Sequence, residues 1–226
     1  MAEPTLSIVI PALNAAASLS PALASLAGLG DAAELVVVDG GSSDATRAIA
    51  LAAGARLVDA PRGRGGQLGA GAAAARAAWL LFLHADTRLG QAAIAAVRSH
   101  ISDHRNAMRA GYFRFALDDA SRAARRLERI VAWRCRALAL PYGDQGLLVS
   151  RALYDAVGGY ATVPLMEDVD LVQRIGRARL VELDAPAITS AERYRRTGYF
   201  RRSARNLCML GLWFAGVPPR VLARFY

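Results

Sequence analysis

The sequence predicts an α/β protein with a mostly parallel central sheet flanked by helices. Three observations predict it. Short apolar runs alternate with helical stretches from residue 6 to residue 87. The runs Glu34-Leu-Val-Val-Val38 and Trp79-Leu-Leu-Phe-Leu83 are apolar almost throughout, as strands buried on both faces are. Each ends in residues of a polar turn, so the chain reads as βαβαβαβ with its polar groups gathered at the strand C-termini.

The elements follow in order. Residues 6–10 form a first strand closed by Pro11, and Ser20 with Pro21 begins a helix to about Leu29. The second strand ends at Asp39. Gly40-Gly-Ser-Ser-Asp44 turns into a helix over residues 45–53, with Gly54 beyond its end. A short strand covers residues 55–59. Arg62-Gly-Arg-Gly-Gly-Gln67 reads as a loop before an alanine-rich helix to Ala78, and the strand from Trp79 runs into His84 and Asp86. Later segments alternate more loosely: a helix over 91–102, a strand over 109–117, an arginine-studded helix over 121–138 and a polar loop, Pro141-Tyr-Gly-Asp-Gln-Gly146. A strand over 147–150, a helix over 151–157, a helix opening at Met166-Glu-Asp-Val-Asp-Leu171 and a strand over 180–183 complete this part.

The chain has 226 residues and is 54% hydrophobic, enough for one large domain with a sizeable core. Its formal charge is +9 and every cationic side chain apart from histidine is arginine. That charge suits phosphorylated ligands, anionic lipid or nucleic acid and does not choose among them. Nucleic acid rests on charge alone, without an aromatic platform, and ranks last. Cys135 and Cys208 have no metal or redox spacing and read as reduced core thiols of a cytoplasmic protein. Residues 6–10 are too short for a signal peptide, and no apolar run approaches the roughly 20 residues that span a bilayer.

Chemistry gathers at the strand ends. Asp39 is placed to accept hydrogen bonds from a base or ribose, whereas Asp44 and Thr46 read as turn and cap residues. The glycines around Arg64 let backbone N–H groups approach an anion at a helix start; the competing reading is a solvated loop. Gly69-Ala-Gly-Ala-Ala-Ala74 fits a relaxed dinucleotide fingerprint but lies within the predicted helix, and is discounted. Asp86 is either a metal- and nucleotide-binding tip or the start of a turn. Glu167, Asp168 and Asp170 either answer a helix dipole or supply a general base, and Asp168 is the candidate base.

The ordered set Leu6 to Asn14, Val38 to Thr46, Leu81 to Thr87 and Met166 to Leu171 resembles family 2 glycosyltransferases of GT-A fold. The resemblance covers residues 5–190, and within the family it is to compact bacterial members with a His-Ala-Asp-Thr tip and a Pro-Tyr-Gly-Asp-Gln loop. It implies inverting transfer of a sugar from a nucleoside diphosphate donor, UDP-linked, with Mg2+ or Mn2+. It places Pro11, Leu13, Asp39, Arg64, Gln67, His84, Ala85 and Asp86 on the nucleotide and donor. Asp86, with His84, would serve the metal, and Asp168, beside Glu167, the acceptor hydroxyl. Asp144 and Gln145 would lie near donor sugar or acceptor.

Two departures stand out. His84 replaces the first acid of the usual Asp-x-Asp tip. Arg193-Tyr-Arg-Arg-Thr-Gly198 stands where many members carry Gln-x-x-Arg-Trp, which makes Arg195 and Arg196 weak candidates for the diphosphate. The altered tip leaves open a nucleotide-sugar-binding protein without transferase activity. A nucleotidyltransferase would need a glycine-rich basic loop after the first strand, which Pro11-Ala-Leu-Asn-Ala15 lacks.

The organisation expected is a domain over residues 1–190 and a basic, apolar helical extension over 191–226. That extension packs on the domain or a second subunit, as in a homodimer, or lies peripherally on the inner face of the cytoplasmic membrane, which would suit a lipid-linked acceptor.

Overall fold

The computed structural model describes residues 3–225; Met1, Ala2 and Tyr226, which belong to the two expected regions, lie outside the described residues. Eight strands form one sheet in the order β3-β2-β1-β4-β7-β6-β8-β5. β1 (Leu6–Ala12), β2 (Ala33–Asp39), β3 (Arg56–Asp59) and β4 (Trp79–Phe82) are mutually parallel, as the apolar runs predict. All seven residues of β1 are buried, because helices cover both faces. Beyond β4 the sheet is mixed. β7 (Leu147–Ser150) pairs antiparallel with both β4 and β6 (Ala110–Leu117). β8 (Leu180–Thr189) runs parallel to β6, and β5 (Thr87–Leu89) runs antiparallel to β8.

Strand alternation sorts the core into two layers. Ile8, Ile10, Leu81 and Leu83 face α1 (Ala16–Ala24) and α4 (Gln91–Ser102), through Leu19, Leu23, Ile94 and Val97. Val9, Val38, Leu80 and Phe82 face α3 (Arg64–Ala74), α6 (Arg151–Ala156) and α7 (Glu167–Ile175), through Leu68, Leu153 and Leu171. α2 (Thr46–Ala52) packs beside α1. The small residues of α3 have a packing reason: a Cβ on Gly71 would collide with Val9 Cγ1 and lie 2.8 Å from Val38 Cγ2. The discounted glycine fingerprint is thus the seam that lets a helix lie close on two strands.

α5 (Arg122–Leu138) covers β6 through Leu127, Val131 and Cys135, with Ser121 accepting the Ala124 N–H as its cap. The chain then ends in α8 (Glu192–Thr197), α9 (Tyr199–Phe214) and α10 (Pro219–Leu222). α9 packs against α5, and Leu210 and Trp213 join Leu140 and Val169. Cys135 is buried as expected; Cys208 is exposed on α9, which corrects its reading as a core thiol. Among the described residues no helix is long and apolar enough to cross a membrane.

Several elements differ from the sequence expectations: α3 begins at Arg64, inside the stretch read as a loop, and ends at Ala74 rather than Ala78, and β1 runs on through Pro11 to Ala12. α1 starts at Ala16 rather than Ser20 and holds Pro21 inside it. Its start is capped by another turn: Asp44 Oδ2 accepts the Ala16 N–H at 3.0 Å and Thr46 Oγ1 accepts the Ala15 N–H at 2.7 Å. β5 escapes a periodicity reading because it is three residues long. β8 is ten residues rather than four; Asp184 and Pro186 interrupt its pattern at a bulge, where Arg114 pairs with Pro186 after Phe113 pairs with Leu183.

Candidate active site

The carboxyl ends of β1 and β4 and the first turn of α3 border a cleft of about 630 Å³. Pro11, Leu13, Arg64, Gln67, His84, Ala85 and Asp86 line it, together with Arg193 from α8. Seven residues singled out from the sequence therefore meet in one place. They do so because parallel strands deliver their C-terminal tips to the same edge of the sheet.

Arg64 is the hub of the cleft's far end. It sits at the start of α3 after Gly63, and its Nε lies 3.2 Å from Glu167 Oε1 while Nη2 donates to Asp168 Oδ2 at 3.1 Å. The same Nη2 meets His84 Nε2. His84 Nδ1 lies 2.9 Å from Asp144 Oδ1. This pattern assigns the Nδ1–H tautomer, with Nε2 accepting from Arg64. Tyr160 Oη donates to Asp168 Oδ1 at 3.1 Å. Gly143 closes the cluster: at φ +47°, a Cβ there would lie 3.0 Å from both Asp168 Oδ2 and His84 Cε1.

The electrostatics follow from this crowding. Burial and the neighbouring Asp168 charge push the Glu167 carboxyl up, and Arg64 opposes them. Burial, joined by the Asp168 and Glu167 charges, pushes the Tyr160 phenol well above its usual value, so it stays a donor. Burial works against ionised Asp144, but the His84 hydrogen bond and the charges of Arg64 and Arg193 hold its carboxyl at about 2.

Asp86 behaves differently. Its Oδ1 is buried and accepts no hydrogen bond from any described residue. Such an oxygen is costly to leave unmatched and suits a hard cation. Among the described residues no group of three His, Cys, Asp or Glu side chains converges on a metal-sized site. His84 has both ring nitrogens engaged, by Asp144 and by Arg64, and would have to release one of them to ligate a metal beside Asp86.

The Glycosyl transferase family 2 model matches residues 7–161. The chain belongs to that family. A PGL/p-HBAD biosynthesis glycosyltransferase of Mycobacterium tuberculosis (strain ATCC 25618 / H37Rv) is 43% identical to this family 2 chain over 114 residues, which cover 46% of the chain and 44% of the relative. A protein of the same description from Mycobacterium bovis (strain BCG / Pasteur 1173P2) matches to the same extent. The chain thus spans less than half the length of these relatives.

Glucosyl-3-phosphoglycerate synthase from Mycobacterium tuberculosis, in complex with Mn2+ and UDP-glucose, superposes with a TM-score of 0.62 at 21% identity, over 90% of this chain and 78% of that one. The complex of the same synthase with Mg2+ and UDP gives 0.58 at 23% identity, over 81% and 70%. At that identity the likeness is one of fold.

Other residues expected in the site of this family 2 chain have different work. Asp39 has a fully enclosed side chain; Oδ2 accepts from Arg47 Nη1 at 3.0 Å, and the carboxylate accepts from the Gly41 and Ser42 N–H groups. It does not line the cleft, and a base could reach it only if this turn opened. Gln67 lines the cleft, but its Nε2 donates to Ala12 O and Val38 O, both at 2.9 Å, stapling the tips of β1 and β2. Gln145 is 2% exposed. Its Nε2 donates to Phe113 O, and its Oε1 accepts from Arg134 Nη2 and Cys135 Sγ, so it is a core strut and not a substrate contact.

Arg195 faces Asp118 and Asp119, and Arg196 is exposed outside the cleft; the arginine that α8 brings in is Arg193. Sequence reasoning missed Arg193 and Tyr160. Tyr160 carried a signal, as an aromatic directly after Gly158-Gly159 and eight residues before Asp168.

Proposed function

We propose that this chain moves a sugar from a nucleoside diphosphate sugar, UDP-linked, to an acceptor hydroxyl, with inversion at the anomeric carbon. The observation that carries the reading is the cluster at the cleft's end. Arg64 and His84 line the cleft and reach Asp168 and Asp144 directly, so a carboxylate base is tied to the basic residues at the cleft's end. Family membership supports the transfer, and the UDP-sugar, Mn2+ and Mg2+ of the fold neighbours support the donor and cation.

In this reading Asp168 takes the proton from the acceptor hydroxyl. The acceptor oxygen attacks the anomeric carbon on the face opposite the diphosphate. The bond to the diphosphate oxygen breaks, its electron pair leaves with that oxygen, and one displacement inverts the centre. Tyr160 and Arg64 hold the two carboxylate oxygens of Asp168 in place. Glu167, nearly enclosed and paired with Arg64 Nε, positions the guanidinium rather than acting as base. Arg64 and Arg193 lie where the donor's phosphates would compete for them. Asp86 would hold a divalent cation through its unmatched oxygen. Such an ion supplies charge neutralisation for the leaving diphosphate. Residues 1–190 would carry this chemistry, and 191–226 an accessory extension packed on it.

The tip supports a second reading, nucleotide-sugar binding without transfer, because His84 is engaged and leaves Asp86 as the lone tip acid facing a cation. One experiment separates the readings. Thermal shifts with a panel of nucleoside diphosphates and their sugars, with and without Mn2+, should show a metal-dependent rise for one base. Donor turnover is then measured with that ligand. A rise without transfer or hydrolysis supports the binding protein, and no rise with any nucleotide removes both readings.

A further inference from the structure

α9 buries Met209 and Leu210 against the body of the protein and is apolar on its outer side as well. Its solvent-facing side carries Phe200, 87% exposed, Leu207, 70%, and Phe214, 52%, with Ala204, Cys208 and Gly211 exposed between them. The positions 200, 204, 207, 208, 211 and 214 form one face of an α-helix. The polar side chains Arg202, Arg205 and Asn206 are instead half-buried against the body of the protein, and the Arg202 guanidinium lies 5.1 Å from the centre of the Tyr194 ring. A helix covering a water-facing domain normally keeps its outer face polar.

The apolar face extends beyond α9. α5 packs alongside and exposes Ile130 and Trp133. Leu138 of α5 and Phe214 of α9 border one groove of about 550 Å³, which joins the two sets. Val221 of α10, a helix that packs on α9, and Phe225 are exposed as well. Apolar surface gathered in this way marks an interaction site.

Charge decides the partner. From Arg193 onward the chain has eight arginines and no aspartate or glutamate. Arg201, Arg220 and Arg224 are exposed, as are Arg122, Arg126, Arg129 and Arg136 of α5. A twofold contact with a second copy would bring these like charges together. An anionic bilayer accepts both features: phenyl and leucyl groups enter the headgroup–acyl boundary while guanidinium groups pair with lipid phosphates. We infer that the face formed by α5, α9 and α10 docks this protein peripherally on an anionic lipid surface. The inference goes beyond the transferase reading and stands without it.

The test is co-sedimentation of the full chain with phosphatidylcholine vesicles, with and without phosphatidylglycerol, and needs no donor, cation or acceptor. Anionic vesicles should bind at least about tenfold more protein than neutral ones, and raising the salt should release it. The combined variant Phe200→Ser, Leu207→Ser, Phe214→Ser should lose about tenfold in binding. It should keep its melting temperature, because all three side chains already face solvent. Absent binding to anionic vesicles, or undiminished binding by the variant, overturns the inference. So does a dimer in sedimentation equilibrium that the variant dissociates, since the face would then join two copies.

Discussion

Replacing Asp168 with asparagine keeps the side chain's shape and removes its capacity to take a proton. The structure indicates how the amide would settle. Its oxygen would face Arg64 Nη2, which only donates, and its NH2 would face Tyr160 Oη, which can rotate to accept. Both contacts survive, so the site keeps its geometry. The lost ion pair involves a guanidinium 44% exposed and still held by Glu167, so its cost to stability is about 0–1 kcal/mol. That moves the melting temperature by no more than about 4 °C for a chain of this size. Loss of a general base slows transfer by about 10²–10⁴-fold, or about 3–5 kcal/mol on the barrier. The assay pairs initial rates with calorimetric titration of the nucleoside diphosphate that the thermal panel selects. The rate should collapse while the dissociation constant stays within about threefold. If rate and affinity fall together, Asp168 holds the donor and the base assignment is wrong.

Asp86→Asn should abolish the metal-dependent part of nucleotide binding and leave the melting temperature within a few degrees; unchanged metal dependence in titrations would move the cation site elsewhere. Gln145→Leu takes the side-chain donor from the buried Phe113 carbonyl and one acceptor from Arg134, so stability should fall by about 1–3 kcal/mol. Its KM for donor should stay near the parent's, and a raised KM with unchanged melting would return Gln145 to the substrate. Asp144 titrates at about 2 in the folded chain, below the roughly 4 of an unfolded aspartate. Its ionised form therefore stabilises the fold above about pH 4, and that contribution disappears as pH falls from about 4 towards 2. Asp144→Asn should flatten the melting temperature–pH curve in that window, and an identical acid limb would refute the assignment.

The first half of the fold was legible because two-sided burial writes itself as unbroken apolar runs. β1, β2 and β4 fall where the runs Leu6 to Ile10, Glu34 to Val38 and Trp79 to Leu83 put them, within one or two residues, and the tips of β1 and β4 line the cleft. What stayed hidden depends on contacts between distant segments. The cap of α1 belongs to Asp44 and Thr46, some 30 residues away, so no local signal marks its start. β8 hides behind a bulge that makes Pro186 acceptable, and the sheet's change of direction at β7 leaves no trace in periodicity. Residue type named the polar groups of the site but not their duties. Gln67 and Gln145 look like ligand contacts, yet each spends its amide on backbone carbonyls. A glutamine's role is set by which orphan groups the tertiary fold leaves beside it.

β7 runs against β4, and so the segment entering β7 and the segment leaving β4 open on the same edge of the sheet. Chain direction thereby sets two lips of the rim face to face, one from residues up to 87 and the other from residues 140–170, with Arg193 of α8 beside them. Side chains bridge them, from Arg64 to Glu167 and Asp168 and from His84 to Asp144. For an engineer this is an exchangeable cassette with a simple docking rule. A transplanted second lip must present two carboxylates to Arg64 and one to His84, keep Tyr160 on Asp168, and retain β7 and Gln145 in the core.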